Sequence, residues 1–317
     1  MSCEIHVSAA SRLHFGMFSF GHADQRQFGG VGVMVNRPRV ELVVAEGTTL
    51  HVSGPLAERV TRTIRHLGRE WGLPAAPACT VNVKCAPPPH TGFGVGTQLD
   101  LAVAAGFRRF CGRANLSAVE LAACTGRGTR SAIGTHGFVH GGLLVDAGKL
   151  VSEPLGTLEA RCPLPSVWRI VLIQTSEPPG PSGMPEQTAF KRIVPVPLAV
   201  THELWQITRR ELLPALREND LATFGEGVYR FGLLAGGCFA EVQDGPFASQ
   251  PIQKLVDAIR AWGVTGVGQS SWGPTVFAFT HDQNEAEALS HTLATEEGID
   301  SGSITIAEPN NCGARIT

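Results

Sequence analysis

The chain has 317 residues, 43% of them hydrophobic, and a formal net charge of −2. That length supports two ordinary domains with a core each, and the near-neutral charge excludes a strongly basic nucleic-acid or membrane-surface binder. Eight cysteines without a Cys-x-x-Cys pair read as buried free thiols. No apolar run spans a bilayer and Met1-Ser2-Cys3-Glu4-Ile5 is no secretory leader, so the expected location is the cytoplasm.

Cys3 to Ala10 alternates in polarity and is predicted to be a strand. If it continues through Ser11-Arg12-Leu13-His14-Phe15-Gly16, Arg12 and His14 share a face. Such a pair is usually solvated surface. Here Gly16, Gly21, Gly29, Gly30 and Gly32 crowd the segment and Arg26 adds a cation, which favours a site. Val40–Ala45 and Leu50–Ser53 predict a hairpin around Glu46-Gly47. Leu56–Trp71 predicts a helix with Val60, Ile64 and Leu67 inward and its Arg and Glu residues in solvent. Cys79–Cys85 alternates again as a strand.

That strand feeds Pro87-Pro88-Pro89-His90-Thr91-Gly92-Phe93-Gly94-Val95-Gly96-Thr97-Gln98. Prolines stiffen the approach, and the alternating glycines Gly92, Gly94 and Gly96 let backbone come close to a ligand. A helix follows, with Leu99, Ala102, Val103, Gly106, Phe107 and Phe110 on one face. Thr97 and Asp100 suggest a capping box at its start. Open amides and a positive helix end suit phosphate, with His90, Thr97 and Gln98 beside them. A plain strand-to-helix turn is the competing reading. The spacing is neither Walker nor Gly-x-Gly-x-x-Gly.

Ser117 is expected to cap a short helix from Ala118 to Cys124. Gly126-Arg127-Gly128-Thr129-Arg130-Ser131-Ala132 is a second glycine cluster, whose guanidiniums and hydroxyl suit phosphate oxygens. His136 and His140 follow, then a predicted strand Phe138–Val145 containing Gly141-Gly142 and ending at Asp146. No acid lies between Gly126 and His140. Pro154–Pro165 is the expected linker, and the apolar run Trp168–Gln174 a buried strand. Ser176–Met184 is a Pro/Gly loop of the kind that forms lids, leading to Glu186. Helices are predicted at Leu198–Leu216, broken by Pro214, then at Leu221–Leu234 and Gln250–Trp262. A third glycine cluster spans Gly263–Thr275, where Ser270, Ser271, Gly273 and Thr275 offer donors. A strand Val276–Thr280, a helix Glu285–Glu297 and a strand Ser303–Ala307 close the chain. This order implies an α+β protein of two domains, 1–160 and 161–317, with the glycine clusters meeting in one cleft.

The glycine loop resembles the Pro-x-x-x-Gly-Leu-Gly-Ser-Ser loop of the GHMP kinase superfamily, with Val95-Gly96 in place of the two serines. Ser-Arg-Leu-His-Phe-Gly at 11–16, Gly-x-Gly-x-Gly-Thr-Gln at 92–98, the 126–146 run and Ser-Ser-Trp-Gly-Pro-Thr at 270–275 resemble one branch of it, the β-ribofuranosylaminobenzene 5′-phosphate synthases. Ala132 stands where that branch is expected to carry glycine. The resemblance implies a ribosomal-protein-S5-like N-terminal half and a ferredoxin-like C-terminal half. It implies condensation of phosphoribosyl pyrophosphate with 4-aminobenzoate or 4-hydroxybenzoate, with loss of pyrophosphate and carbon dioxide, toward methanopterin-type carriers. It places Arg12, His14, Gly29, Gly30 and Glu186 near the substrates. Mg²⁺ is expected, with Thr97 as one hydroxyl for it, and no organic cofactor; a homodimer is left open. Arg12, Arg26 or Lys191 are the cations for the aromatic carboxylate, and His14, His90 or His136 the groups to move a proton. A small-molecule kinase of the same fold and a catalytically silent ligand-binding regulator are the other readings. The missing acid in 126–140 speaks against the kinase.

Overall fold

The structure is a computed structural model describing residues 4–73, 77–178, 193–243 and 245–317. The segment expected to form a lid, with Glu186 and Lys191, lies largely outside the described residues.

The first layer is a seven-stranded sheet. Strand β1 (Ile5–Gly16) pairs antiparallel with the long β2 (Gly30–Glu46). One end of β2 pairs with β4 (Cys79–Cys85), and the other with β5 (Leu143–Asp146), which in turn pairs with β6 (Leu158–Cys162). The expected hairpin at Glu46-Gly47 does not form. β3 (His51–Ser53) sits at the sheet edge and pairs parallel with β4, which takes the place beside β2. Helices α1 (Ala57–Glu70), α2 (Val95–Phe110) and α3 (Ala118–Thr125) accompany this sheet. Val60, Ile64 and Leu67 of α1 and Leu99, Val103 and Phe107 of α2 are fully buried against Val7, Leu42 and Val44. Burial of each such side chain contributes about 1.5–3 kcal/mol. Ser117 caps α3 in a box with Glu120, as expected.

The second layer is a four-stranded sheet of β7 (Arg169–Gln174), β8 (Val267–Gln269), β9 (Thr275–Thr280) and β10 (Ile304–Ala307). Their order across the sheet is β10-β7-β9-β8. Helix α4 (Ile133–His140) belongs to the first layer; the second carries α5 (Leu198–Ile207), α6 (Leu213–Glu218), α7 (Leu221–Gly237), the short α8 (Ala240–Gln243), α9 (Gln250–Ala261) and α10 (Gln283–Glu296). A π-helical stretch, Thr208–Leu212, joins α5 to α6. Pro214, at the start of α6, therefore does not break the run, because the wide turn absorbs it. Phe15 and Phe18 of the first layer pack with Phe231, Phe277 and Phe279 of the second in one continuous core.

Two further expectations fail. Phe138 and His140 lie in α4, not in a strand, and β5 begins only at Leu143. Gly141 and Gly142, both at positive φ, turn the chain from helix to strand. The expected linker contains β6, which is paired into the first sheet. The last strand, β11 (Arg315–Ile316), also returns to that sheet beside β1, so the two layers do not divide cleanly in sequence. Among the described cysteines Cys79 is buried, whereas Cys85 and Cys312 are exposed. Among the described residues, no helix is long and apolar enough to cross a membrane.

Candidate active site

The three glycine clusters line one cleft, and specific bonds tie the first and third of them to β1. The amide of Arg12 on β1 donates to the carbonyl of Phe93 at 3.1 Å, and its Nη1 donates to the carbonyl of Gly92 at 3.3 Å. From the other side, Ser270 Oγ donates to the same Gly92 carbonyl at 2.7 Å and Thr275 Oγ1 to that of Thr91 at 2.6 Å. Ser270 Oγ also accepts from the amide of His14 at 3.1 Å, and the amide of Ser271 donates to the carbonyl of His14 at 3.0 Å. Ser270 is fully buried, so it fastens the three segments together rather than facing a ligand.

Helix α2 does not begin with the expected capping box. Its N-cap is Gly94, left-handed at φ 69°, with no side-chain cap. The amides of Thr97 and Gln98 return to the Gly94 carbonyl at 3.0 Å. Ahead of them, Val95 and Gly96 N–H belong to the open, positive end of the helix. A Cβ on Gly94 would lie 2.7 Å from Arg12 Cγ, and one on Gly96 would lie 3.1 Å from Arg59 Nη2. Both glycines thus let a guanidinium approach the helix start.

Asp100 has a different role from the one expected. It accepts from Arg59 Nε at 3.0 Å and Nη2 at 2.8 Å, from Arg127 Nε at 2.8 Å, and from Thr63 Oγ1 at 3.2 Å. Burial raises its pKa, against the pull of Arg59 and Thr63. One buried carboxylate thereby orients two guanidiniums at the mouth of the helix.

The resulting cleft, about 1620 Å³, is lined by Arg12, Arg59, Arg127 and Arg130, the glycine loop from Gly92 to Thr97, His14, His90, Ser131, Ser271 and Gly273. No Asp or Glu is among the described residues that line it. His14 is buried, and desolvation, with Arg12 adding to it, depresses its pKa well below the ordinary value. A neutral imidazole results, its Nε2 lying 3.2 Å from Ser131 Oγ. Gly30 stands behind that ring, where a Cβ would lie 3.1 Å from Nε2. Ala132, found where glycine was expected, has φ −91° and needs none. Its amide donates to Asp146 Oδ2 at 2.6 Å, and Gly148 N donates to Oδ1 at 2.9 Å. Asp146 thereby fixes the base of the arginine loop.

Residues 212–300 match the family model described as GHMP kinases C terminal. The chain is 30% identical to the β-ribofuranosylphenol 5′-phosphate synthase of Methanothermobacter thermautotrophicus, covering 99% of each chain. It is 30% identical to the protein of that name from Archaeoglobus fulgidus, over 98% of this chain and 99% of the other. The chain belongs to the β-ribofuranosylphenol 5′-phosphate synthase family. The fold agrees with the superfamily: mevalonate diphosphate decarboxylase from Staphylococcus aureus matches with a TM-score of 0.68 at 15% identity over 100% of this chain and 98% of that one. Homoserine kinase from Cytophaga hutchinsonii matches with a TM-score of 0.65 at 16% identity, over 99% and 97%. These likenesses establish the GHMP kinase fold that the motifs implied.

Within this family member, not every residue singled out in the sequence reaches the cleft. His136 is buried in α4, its Nε2 bonded to the carbonyl of Gly156 at 2.8 Å. Arg26 is held at Glu153 (2.7 Å), Thr157 Oγ1 (3.0 Å) and the Gly148 carbonyl (2.9 Å), away from the cleft lining. Gln98 is buried and donates to the Gly134 carbonyl at 2.8 Å. Gly29, at φ 63°, packs on the backbone of Asp146 and Gly148. Glu186 lies outside the described residues. Arg59 was missed, because an arginine on an amphipathic helix carries no local mark of function.

The donor set does not fit a Mg²⁺ ion held by the protein. Mg²⁺ takes oxygen ligands, with carboxylates or phosphates usually among them. The described cleft lining offers the hydroxyls of Thr97, Thr129, Ser131 and Ser271, and no carboxylate. No group of three His, Cys, Asp or Glu side chains among the described residues is placed to hold a metal.

Proposed function

We propose that the protein is a decarboxylating phosphoribosyltransferase, joining phosphoribosyl pyrophosphate to 4-hydroxybenzoate with release of pyrophosphate and carbon dioxide, in the assembly of a methanopterin-type one-carbon carrier. The observation that carries this reading is the charge of the cleft: four arginines around an open helix end, with no carboxylate among the described lining residues. Such a site suits a leaving group whose negative charge grows as the reaction proceeds. The names of the relatives specify a ribofuranosylphenol phosphate, which favours the hydroxy acid over 4-aminobenzoate.

In this scheme the bond from the sugar carbon to the pyrophosphate oxygen breaks, and its electron pair leaves with pyrophosphate. The ring carbon bearing the carboxylate, para to the hydroxyl, supplies the pair for the new C–C bond. Carbon dioxide then departs and its bonding pair restores the aromatic ring. No ring proton is removed at that carbon, so the histidines are not needed as bases there. His14, kept neutral by burial, positions Ser131 at the edge of the anion site. Any Mg²⁺ enters as part of the substrate, on its diphosphate oxygens.

The test is an assay of the purified protein with Mg²⁺, phosphoribosyl pyrophosphate and each aromatic acid in turn. Pyrophosphate should appear only when the acid is present, and ATP should not substitute. Consumption of ATP with a sugar or polyol acceptor would replace this reading with a kinase. Tight binding of both substrates without turnover would replace it with a silent regulator.

A further inference from the structure

Beside the cationic cleft lies a second recess, lined by Phe15, Met17, Phe239, Phe247 and Trp272. His14, Met17, Ser271 and Trp272 line both cavities, so one wall is common to them. The polar side chains of the recess are held by backbone. Gln243 Nε2 donates to the carbonyls of Gly236 and Gly245, at 3.3 and 3.0 Å. Gln269 accepts from Ala248 N at 2.9 Å and donates to the Gly273 carbonyl at 2.8 Å. Phe239 meets Trp272 edge to face, with centroids 5.1 Å apart.

One glycine shows that this space is kept open. Glycine inside a helix costs up to about 1 kcal/mol relative to alanine, and α7 contains several. At Gly225 a Cβ would lie 2.6 Å from the amide of Gly266, at Gly227 it would lie 2.9 Å from Leu212 Cδ2, and at Gly236 it would run into the Pro246 carbonyl. Close packing explains those three. At Gly232 the nearest atom to a Cβ would be the Phe15 carbonyl oxygen, 4.0 Å away. Gly232 lines the recess. No neighbour demands a glycine there; what it preserves is the empty space.

We propose that this recess is the subsite for the aromatic ring of the acceptor acid, and that Gly232 sets its depth. The proposal rests on the transferase reading above. An aromatic carboxylic acid matches the shape of the pair of cavities: the ring is surrounded by aromatic and thioether side chains, while the carboxylate end faces the shared wall at His14 and the cationic cleft beyond it. The ring carbon that bears the carboxylate then lies at the junction, where a sugar carbon on the bound diphosphate can reach it.

Gly232→Leu tests this, with Gly232→Ala as the smaller step. Both substitutions suit a helix, so thermal unfolding should confirm intact protein. Binding of 4-hydroxybenzoate, followed through tryptophan fluorescence with pyrophosphate present, should weaken at least about tenfold in Gly232→Leu and less in Gly232→Ala. The KM for the acid should rise in parallel, while pyrophosphate affinity measured by calorimetry stays within about twofold. Unchanged affinity for the acid in folded Gly232→Leu would overturn the assignment, as would equal weakening of both ligands. If the wild-type protein shows no transfer, the reaction reading fails, but the binding comparison still decides. Saturable binding of the acid lost in Gly232→Leu would support the subsite, and no binding to wild type would overturn it.

Discussion

In the cleft, charge is concentrated by side chains that are themselves held: Asp100 orients Arg59 and Arg127, and the Arg12 guanidinium bonds the Gly92 carbonyl. Across the wall formed by His14 and Trp272, the recess is defined by what is missing, a side chain at Gly232. Glycine serves both regions in opposite ways. Gly94 and Gly96 admit guanidiniums to a helix end, whereas Gly232 admits nothing from the protein. The cleft should therefore be sensitive to loss of charge or loss of its orientation, and the recess to gain of volume.

The largest expected effect is that of Gly94→Val. The residue is left-handed, where a side chain costs roughly 1–2 kcal/mol, and a Cβ would push into Arg12 Cγ at 2.7 Å. Turnover should fall by about a thousandfold or more, that is by roughly 4 kcal/mol of barrier, in a protein that remains folded by circular dichroism. Wild-type kcat/KM in that folded variant would remove the loop from the mechanism.

Asp100→Asn should weaken pyrophosphate binding by about ten- to a hundredfold, because the two guanidiniums lose their common anchor. The acid should still bind the recess with unchanged affinity in calorimetry. Equal loss of both affinities would merge the two regions into one site.

Burial raises the Asp146 carboxyl from 3.8 to about 6, against the amides of Ala132 and Gly148. The folded protein thus holds this proton more tightly than the unfolded chain. The associated stability is fully present below the unfolded value and is lost as pH rises through about 6. Wild type should accordingly lose of order 3 kcal/mol relative to Asp146→Asn between about pH 4 and pH 7 in urea unfolding. A constant difference across that range would contradict this assignment.

Much of this division is visible in the chain and some is not. The loop at 87–98 announces itself because prolines, alternating glycines and a following amphipathic run are all local features. The reading of Thr97 and Asp100 as a cap failed for a tertiary reason: Asp100 is claimed by Arg59 from α1 and Arg127 from the next loop. Phe138–Val145 misled because its apolar residues suit either period, and the helix is decided by packing of Ile133 beneath Met34 and Leu144. The hairpin at Glu46 failed because β4, more than thirty residues on, takes the place beside β2. The recess left no sequence motif. Phe15, Phe239 and Trp272 lie far apart in the chain, and Gly232 is one glycine among several in its helix.

The smallest expected effect marks the outer limit of the cleft. Arg26 pairs with Glu153 at the surface, so Arg26→Ala should cost little stability. It should leave kcat/KM within about twofold of wild type, a change of roughly 0.4 kcal/mol in barrier. A large kinetic loss would move this cation into the site.

The most direct test of the central claim follows the carboxyl carbon. Protein is mixed with Mg²⁺, phosphoribosyl pyrophosphate and 4-hydroxybenzoate labelled in its carboxyl group, and label is followed into carbon dioxide alongside pyrophosphate. The account predicts one labelled carbon dioxide for each pyrophosphate and no label in the ribosylated product. Pyrophosphate release with the label retained on the product would contradict it, showing that the sugar is joined through oxygen and not through ring carbon.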